Sequence, residues 1–176
     1  MIRDAAAKLV LAGPVGAGKT AAIRAISDGE ALSTEMPWSD PAQPEKTTTT
    51  VALDFANILL DDGTPVLVYG LPGQDHFAFM RPIILDGAAG AIVLLDGRDP
   101  EVAAHCAAWL HSVASIAPDA AIAVGITHTD LVSTFSLAPV RAAARCLGRP
   151  VPVFTLDARD REQARQLARA LVLAAV

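Results

Sequence analysis

Residues 13 to 20 read GPVGAGKT, a spacing of glycines, a lysine and a threonine suited to handling phosphate. The octapeptide fits the phosphate-loop pattern G-x-x-x-x-G-K-[ST] at every fixed position and follows the apolar run Leu9-Val10-Leu11-Ala12. A strand that stops at Gly13 and restarts as a helix near Lys19 leaves backbone N–H groups pointing inward, a concave field for anionic oxygens. Gly16 and Gly18 permit close backbone approach, Lys19 brings a point charge to the outer phosphates, and the Thr20 hydroxyl can ligate Mg²⁺. The bland alternative is a glycine-rich turn, yet strand, loop and the helical run from Thr20 to Ile26 all fall where phosphate binding needs them. The motif is silent on the base.

Three later segments bear on that question. The run KTTTTVALDF, residues 46 to 55, leads threonines into a strand; besides a β-branched strand start, it offers a hydroxyl able to swing over a γ-phosphate and Mg²⁺ and so order its loop only with triphosphate. In YGLPGQDHF, residues 69 to 77, Gly73 and Gln74 follow a strand. Beyond a plain Pro-Gly turn, Gly73 can offer its N–H to a γ-phosphate and Gln74 can orient an attacking water. In VGITHTDL, residues 124 to 131, Asp130 follows another strand, either as a helix N-cap or as a carboxylate accepting two N–H bonds from a base edge. Guanine offers that edge and adenine does not. In LDARD, residues 156 to 160, the Ala158 backbone N–H can cover the base, an N-cap being the competing role.

The elements that must position these residues follow from periodicity. Apolar, β-rich runs at Lys8 to Ala12, Val51 to Leu60, Val66 to Tyr69, Ala91 to Asp96, Ile122 to Thr127 and Val151 to Leu156 imply six strands. Helical stretches at Thr20 to Ser27, Phe77 to Leu85, Glu101 to Ala117, Ala138 to Leu147 and Arg161 to Ala174 lie between most of them. Such alternation means a largely parallel sheet. The connection Asp61-Asp62-Gly63-Thr64 leaves no room for a crossover helix, so the second strand should be antiparallel. The expected fold is a three-layer α/β sandwich, a six-stranded mixed sheet with helices on both faces and its crevice at the carboxyl ends of the strands. Asp28 to Glu45, with Pro37, Pro41 and Pro44, is predicted as a long irregular loop.

A chain of 176 residues with 52% hydrophobic content is expected to form one domain, 1–176. The net charge of −5 and pI near 5.2 argue against a general nucleic-acid or anionic-membrane surface. Mean hydropathy is +0.39, but no apolar run reaches the roughly 20 residues that a membrane-spanning helix needs. MIRD at the start and LVLAAV at the end carry neither secretory nor lipidation signals, so no intrinsic membrane anchor is expected. Cys106 and Cys146, both in Ala-rich helical patterns, are predicted as buried small hydrophobes in a reducing cytoplasm. His76, His105 and His111 are expected to be surface or packing residues.

With GPVGAGKT, the Thr run, LPGQ, THTD and DAR in this order, almost the entire chain resembles the Ras-like small GTPases. More narrowly, TTTTVALDF, YGLPGQDHFAFM and LDARDR resemble the bacterial branch related to gliding-motility and polarity GTPases, often paired with roadblock-type proteins. The resemblance implies the P-loop small G-protein fold and a cytoplasmic switch that binds GTP and GDP with Mg²⁺ and hydrolyses GTP. It also implies a roadblock-type regulatory partner, through which the chain can reach a membrane. Carried over, the octapeptide from Gly13 through Val15, Gly16, Ala17 and Gly18 to Lys19 and Thr20, with Ala21 behind it, would cradle the phosphates. Thr20 and Thr50 would ligate Mg²⁺, with Thr49 or Thr48 replacing Thr50 after a register shift. Gly73 would sense the γ-phosphate and Gln74 position water beside Lys19 and Thr50. Thr127, His128 and Asp130 would meet the guanine, and Asp157, Ala158 and Arg159 would cover it.

Departures from the family pattern are informative. Where D-x-x-G would place a carboxylate for Mg²⁺, this chain has Gly70-Leu71-Pro72-Gly73, leaving Asp54 and Asp75 as substitutes. THTD replaces the usual Asn and Lys by Thr127 and His128, resembling the Thr-x-x-Asp variants of Rho-like members. Val15 adds bulk where an arginine finger would enter, and no Arg lies between Arg24 and Arg81. Slow intrinsic hydrolysis is therefore expected. A hydrolysis-deficient GTP-binding scaffold is the competing reading; a P-loop small-molecule kinase would leave THTD unexplained. If Asp130 selects the base, Asp130→Asn should shift preference from guanosine toward xanthosine nucleotides, and unchanged selectivity in competition binding would remove that role.

Overall fold

The computed structural model describes residues 6–29, 32–38 and 49–175, with the backbone alone for 32–38 and 49–52. The chain opens with β1 (Ala7–Ala12), in which every residue from Leu9 onward is buried. Successive side chains point to opposite faces. Leu9 and Leu11 join one hydrophobic cluster, with Ala22, Ile23 and Ile26 of α1 (Lys19–Ile26) and Ala164, Leu167, Ala168 and Leu171 of α5 (Arg161–Ala174). Val10 and Ala12 join the other cluster, with Met80, with Ile84 of α2 (Arg81–Leu85), with Cys106 and Trp109 of α3 (Val102–Ile116), and with Val140 of α4 (Ala138–Ala144). A strand apolar on both faces is what a central parallel strand between helical layers requires.

Further along the chain come β2 (Leu32–Trp38), β3 (Thr49–Leu59), β4 (Pro65–Gly70), β5 (Gly90–Asp96), β6 (Ala121–Thr127) and β7 (Val153–Thr155). Their order across the sheet is β2-β3-β4-β1-β5-β6-β7. As predicted, β3 runs antiparallel, with Phe55 opposite Tyr69 and Leu59 opposite Pro65. Its turn closes through Gly63 N–H to the Leu60 carbonyl and Thr64 N–H to the Asp62 carboxylate, with Gly63 at φ 79°. The six predicted strands are all present.

Two expectations need correction. Part of the predicted Asp28 to Glu45 loop forms β2, which makes a seventh strand, pairs antiparallel with β3 and places Pro37 opposite Thr50. Proline cannot complete a central ladder, but among the described residues β2 lies at the sheet edge, with a strand neighbour on one side only. Cys146, predicted buried, is exposed, because the helix expected over Ala138 to Leu147 tightens to a 3₁₀ turn at Arg145–Leu147. Cys106 is buried as expected, and burial raises its thiol pKa to about 11. A 3₁₀ segment, Asp75–Met80, likewise precedes α2, whose N-terminal turn contains Pro82.

Strand β1 connects toward the β3–β4 side of the sheet, whereas the chain leaving β4 crosses to β5 on the other side of β1. Loops diverging at such a switch point open a crevice at the carboxyl ends of the strands. The loop that follows β1 is held in that crevice by contact as well as by conformation. Gly13 has φ 137°, and a Cβ placed on it would stand 2.0 Å from the Leu94 carbonyl oxygen; Gly16, at φ 83°, has open space around it. Gly16→Ala should therefore cost about 1–2 kcal/mol of left-handed strain, and Gly13→Ala about 3–5 kcal/mol because β5 backbone must also move. Urea unfolding midpoints of the two variants check this.

Candidate functional site

Helix α1 starts at Gly18, which adopts the left-handed conformation at φ 92° and brings no side chain to cap the first turn. The orphan N–H groups there and the positive end of the helix dipole both favour an anion. They face a cleft of about 740 Å³ lined by Val15, Gly16, Gly18, Lys19, Thr20 and Ala21 on one side and by Asp54, Gly70 to Gln74 and Phe77 on the other. That volume suits a nucleotide-sized ligand.

Lys19 brings an ammonium into this cleft. Its Nζ donates to the Gly13 and Pro14 carbonyls at 2.8 and 2.7 Å. Burial lowers its pKa from 10.5 to about 8, only partly opposed by the Asp54 carboxylate. An ammonium so desolvated gains strongly from an incoming phosphate. The Thr20 hydroxyl donates to Asp54 Oδ2 on β3, so a carboxylate lies at the oxygen expected to ligate Mg²⁺. Gly73 packs on the loop: a Cβ there would come within 2.6 Å of Val15 N and 2.9 Å of Lys19 Nζ. Gln74 is exposed at the mouth, beside a Val15 that is 65% exposed.

The base-side residues converge on the same loop by a different route. Thr127, at the end of β6, is 1% exposed, and its hydroxyl lies 3.1 Å from the Ala17 carbonyl and 3.2 Å from that of Leu95. Thr127 thus ties the loop to the sheet; its hydroxyl faces backbone carbonyls, a positioning role that the sequence pattern did not distinguish from base contact. His128 lines the cleft at φ 55°, a conformation uncommon outside glycine, with Nδ1 3.1 Å from Thr127 Oγ1 and 3.3 Å from Asp96 Oδ1. Asp130 is exposed just beyond, in a 3₁₀ turn. Ala158 is buried against Gly18, whose added Cβ would stand 2.9 Å from Ala158 Cβ. Arg159 folds back onto Asp157, 2.9 Å from Nε to Oδ1 and 2.8 Å from Nη2 to Oδ2, and these hydrogen bonds lower the Asp157 pKa to about 2.

Thr50 lies within β3, one residue inside its start, rather than in a loop ahead of the strand. Its side chain and all of Thr48 and Lys46 lie outside the described residues. Asp75, one of two carboxylates considered for the metal, has a fully exposed side chain 3.8 Å from Arg81. Arg24 and Phe77 line the cleft although their motifs did not single them out. Arg24 follows Thr20 by four residues, one helical turn, a spacing that could have pointed to it. Among the described residues no three His, Cys, Asp or Glu side chains gather as a metal site, and no helix is long and apolar enough to cross a membrane.

No family model matches the chain. In sequence it is similar to the GTP-binding protein ypt4 of Schizosaccharomyces pombe, 24% identical over 151 residues that cover 81% of this chain. It spans only 59% of that protein's length. In structure it is similar to the G domain of the T. maritima FeoB iron transporter, with a TM-score of 0.71 and 19% identity across 98% of this chain and all of that one. The P-loop G-domain fold is therefore the fold of this chain.

The Lys19 shift has a sign that can be measured. Between about pH 8 and 10.5 an unfolded lysine keeps its proton while the folded one has lost it, so this residue makes ligand-free stability rise with pH. Below about pH 8 both states hold the proton and its contribution is flat. Subtracting the stability–pH curve of Lys19→Met from that of wild type should isolate the rise.

Proposed function

We propose that this chain is a guanine-nucleotide switch that binds GTP and GDP with Mg²⁺ and hydrolyses GTP slowly. The observation that carries the reading is the Lys19 ammonium, half-buried beside an uncapped helix start and facing Gly73 and Gln74 across one cleft. A triphosphate tail supplies the charge that this arrangement lacks. In this reading the backbone from Gly13 through Val15 to Ala21 cradles the phosphates, and Lys19 exchanges its carbonyl partners for phosphate oxygens. Asp130 takes the guanine edge, His128 lies along the base, and Asp157, Ala158 and Arg159 close over it. Support for guanine comes from Asp130 and from the GTP-binding relative.

The oxygen donors of Thr20, and of Thr50 in the triphosphate state, suit Mg²⁺, a hard cation that keeps several waters and is shared with phosphates. Bound there, it would neutralise charge on the β- and γ-phosphates. Gln74 orients a water whose oxygen attacks the γ-phosphorus while the bond to the bridging oxygen breaks, yielding GDP and phosphate. The Gly73 N–H meets the γ-phosphate, so its loss releases this loop and the Thr50 segment. Their two arrangements are the signal, which a cytoplasmic, roadblock-type partner reads; that partner rests on the sequence resemblance, as does recruitment to a membrane. The exposed Val15 at the cleft mouth favours slow turnover, and in the limit a scaffold without hydrolysis.

Single-turnover phosphate release from GTP separates these readings. Wild type should release phosphate, and Gln74→Leu should do so about tenfold more slowly or worse while its GTP affinity changes by less than about threefold. Wild-type protein that binds GTP without releasing phosphate would leave the scaffold.

A further inference from the structure

A carboxylate is missing from the end of β4, where Gly70 stands, and another occupies its space from the neighbouring strand. A Cβ built on Gly70 would lie 3.3 Å from Asp54 Cβ and 2.9 Å from Ile23 Cδ1. Since β3 and β4 pair with Phe55 opposite Tyr69, Asp54 and Gly70 are the next cross-strand neighbours. Absence of a side chain at 70 is thus what admits the Asp54 side chain. Its Oδ2 accepts the hydroxyl proton of Thr20, and it is the charge that raises the Lys19 pKa against the effect of burial.

We propose that Asp54 anchors the hydration shell of the Mg²⁺ ion held by Thr20, a role moved from β4 to β3. The inference rests on the nucleotide reading above and deepens it. The chemistry fits: a hydroxyl and a carboxylate in contact, both hard oxygen donors, at the edge of a cleft whose remaining ligands would come from phosphate and water. Asp75, the other carboxylate available in sequence, is turned to solvent near Arg81. The arrangement also accounts for the pairing of a glycine at 70 with an aspartate at 54: a side chain at 70 would crowd Asp54 Cβ and press on Ile23 Cδ1, the movable end of that side chain.

The test is GDP calorimetry on the whole chain in Mg²⁺ and in EDTA, reading the ratio of the two affinities. Wild type should bind GDP more tightly in Mg²⁺, and Asp54→Asn, nearly the same shape, should reduce that advantage about 10- to 100-fold, or to parity where wild type starts lower, as loss of an outer-sphere metal partner does. Affinity in EDTA should be almost unchanged, which shows the nucleotide site intact. Adding Gly70→Asp to Asp54→Gly, which clears the cross-strand space at 54, should restore most of the Mg²⁺ advantage, an outcome that a merely structural Asp54–Thr20 contact does not produce. Asp54→Ser gives the same reading should the asparagine variant fold poorly. A wild-type Mg²⁺ advantage retained in Asp54→Asn or Asp54→Ser overturns the inference, as does wild type that binds GDP without any Mg²⁺ effect. No GDP binding by wild type in either buffer instead overturns the nucleotide reading itself.

Discussion

A half-buried lysine ammonium beside an uncapped helix N-terminus is the constraint around which this molecule is arranged. Burial penalises the charge of Lys19, the two carbonyls it reaches are dipoles rather than anions, and the first turn of α1 adds further positive potential. Together these groups favour a polyanion. The loop that would meet it is held by Gly13 against Leu94 and by Gly18 against Ala158. Preorganisation of this kind places affinity in the phosphates and leaves selectivity to more distant groups.

Those distant groups are tied to the loop through a buried side-chain hydroxyl. Thr127 connects the end of β6 to Ala17 and Leu95, which fixes the start of the turn bearing His128 and Asp130 against the phosphate loop. Asp96, at the end of β5, lies opposite Thr127 in register and faces His128. On the other flank, Gly73 packs closely on Val15 and Lys19, next in sequence to the exposed Gln74. The rigid flank suits recognition of a base and the tightly packed loop suits detection of a terminal phosphate. At the far end of α1 and β3, Asp28 receives Arg161 and Arg165 of α5, fastening the helices of that face together.

Periodicity made most of the architecture legible. The six apolar runs, the Asp-Gly turn and the helix over Arg161 to Ala174 all appear where their patterns placed them, the last with Asp160 accepting from Glu162 and Gln163 N–H groups as its cap. Strand β2 was hidden because Leu32 to Trp38 contains a proline and polar residues that locally signal a loop, and edge pairing with β3 is a non-local fact. Cys146 was misplaced because an Ala-rich helical pattern does not reveal where a helix tightens and turns a residue outward. Thr127 illustrates the same limit within the site, since only the packing of β6 against the loop shows its hydroxyl turned toward Ala17.

By itself, the order of residues determined the phosphate loop, the strand–helix alternation and the list of candidate site groups, because glycine spacing and apolar period act over a few neighbours along the chain. Which carboxylate stands beside Thr20 was settled only in three dimensions. Asp54 and Asp75 are equivalent as letters, and Gly70 signals only that something is missing; antiparallel pairing of β3 with β4 carries Asp54 into the vacated space, whereas the 3₁₀ segment turns Asp75 to solvent. Distance between side chains depends on strand register and cross-strand packing, and no local pattern encodes either.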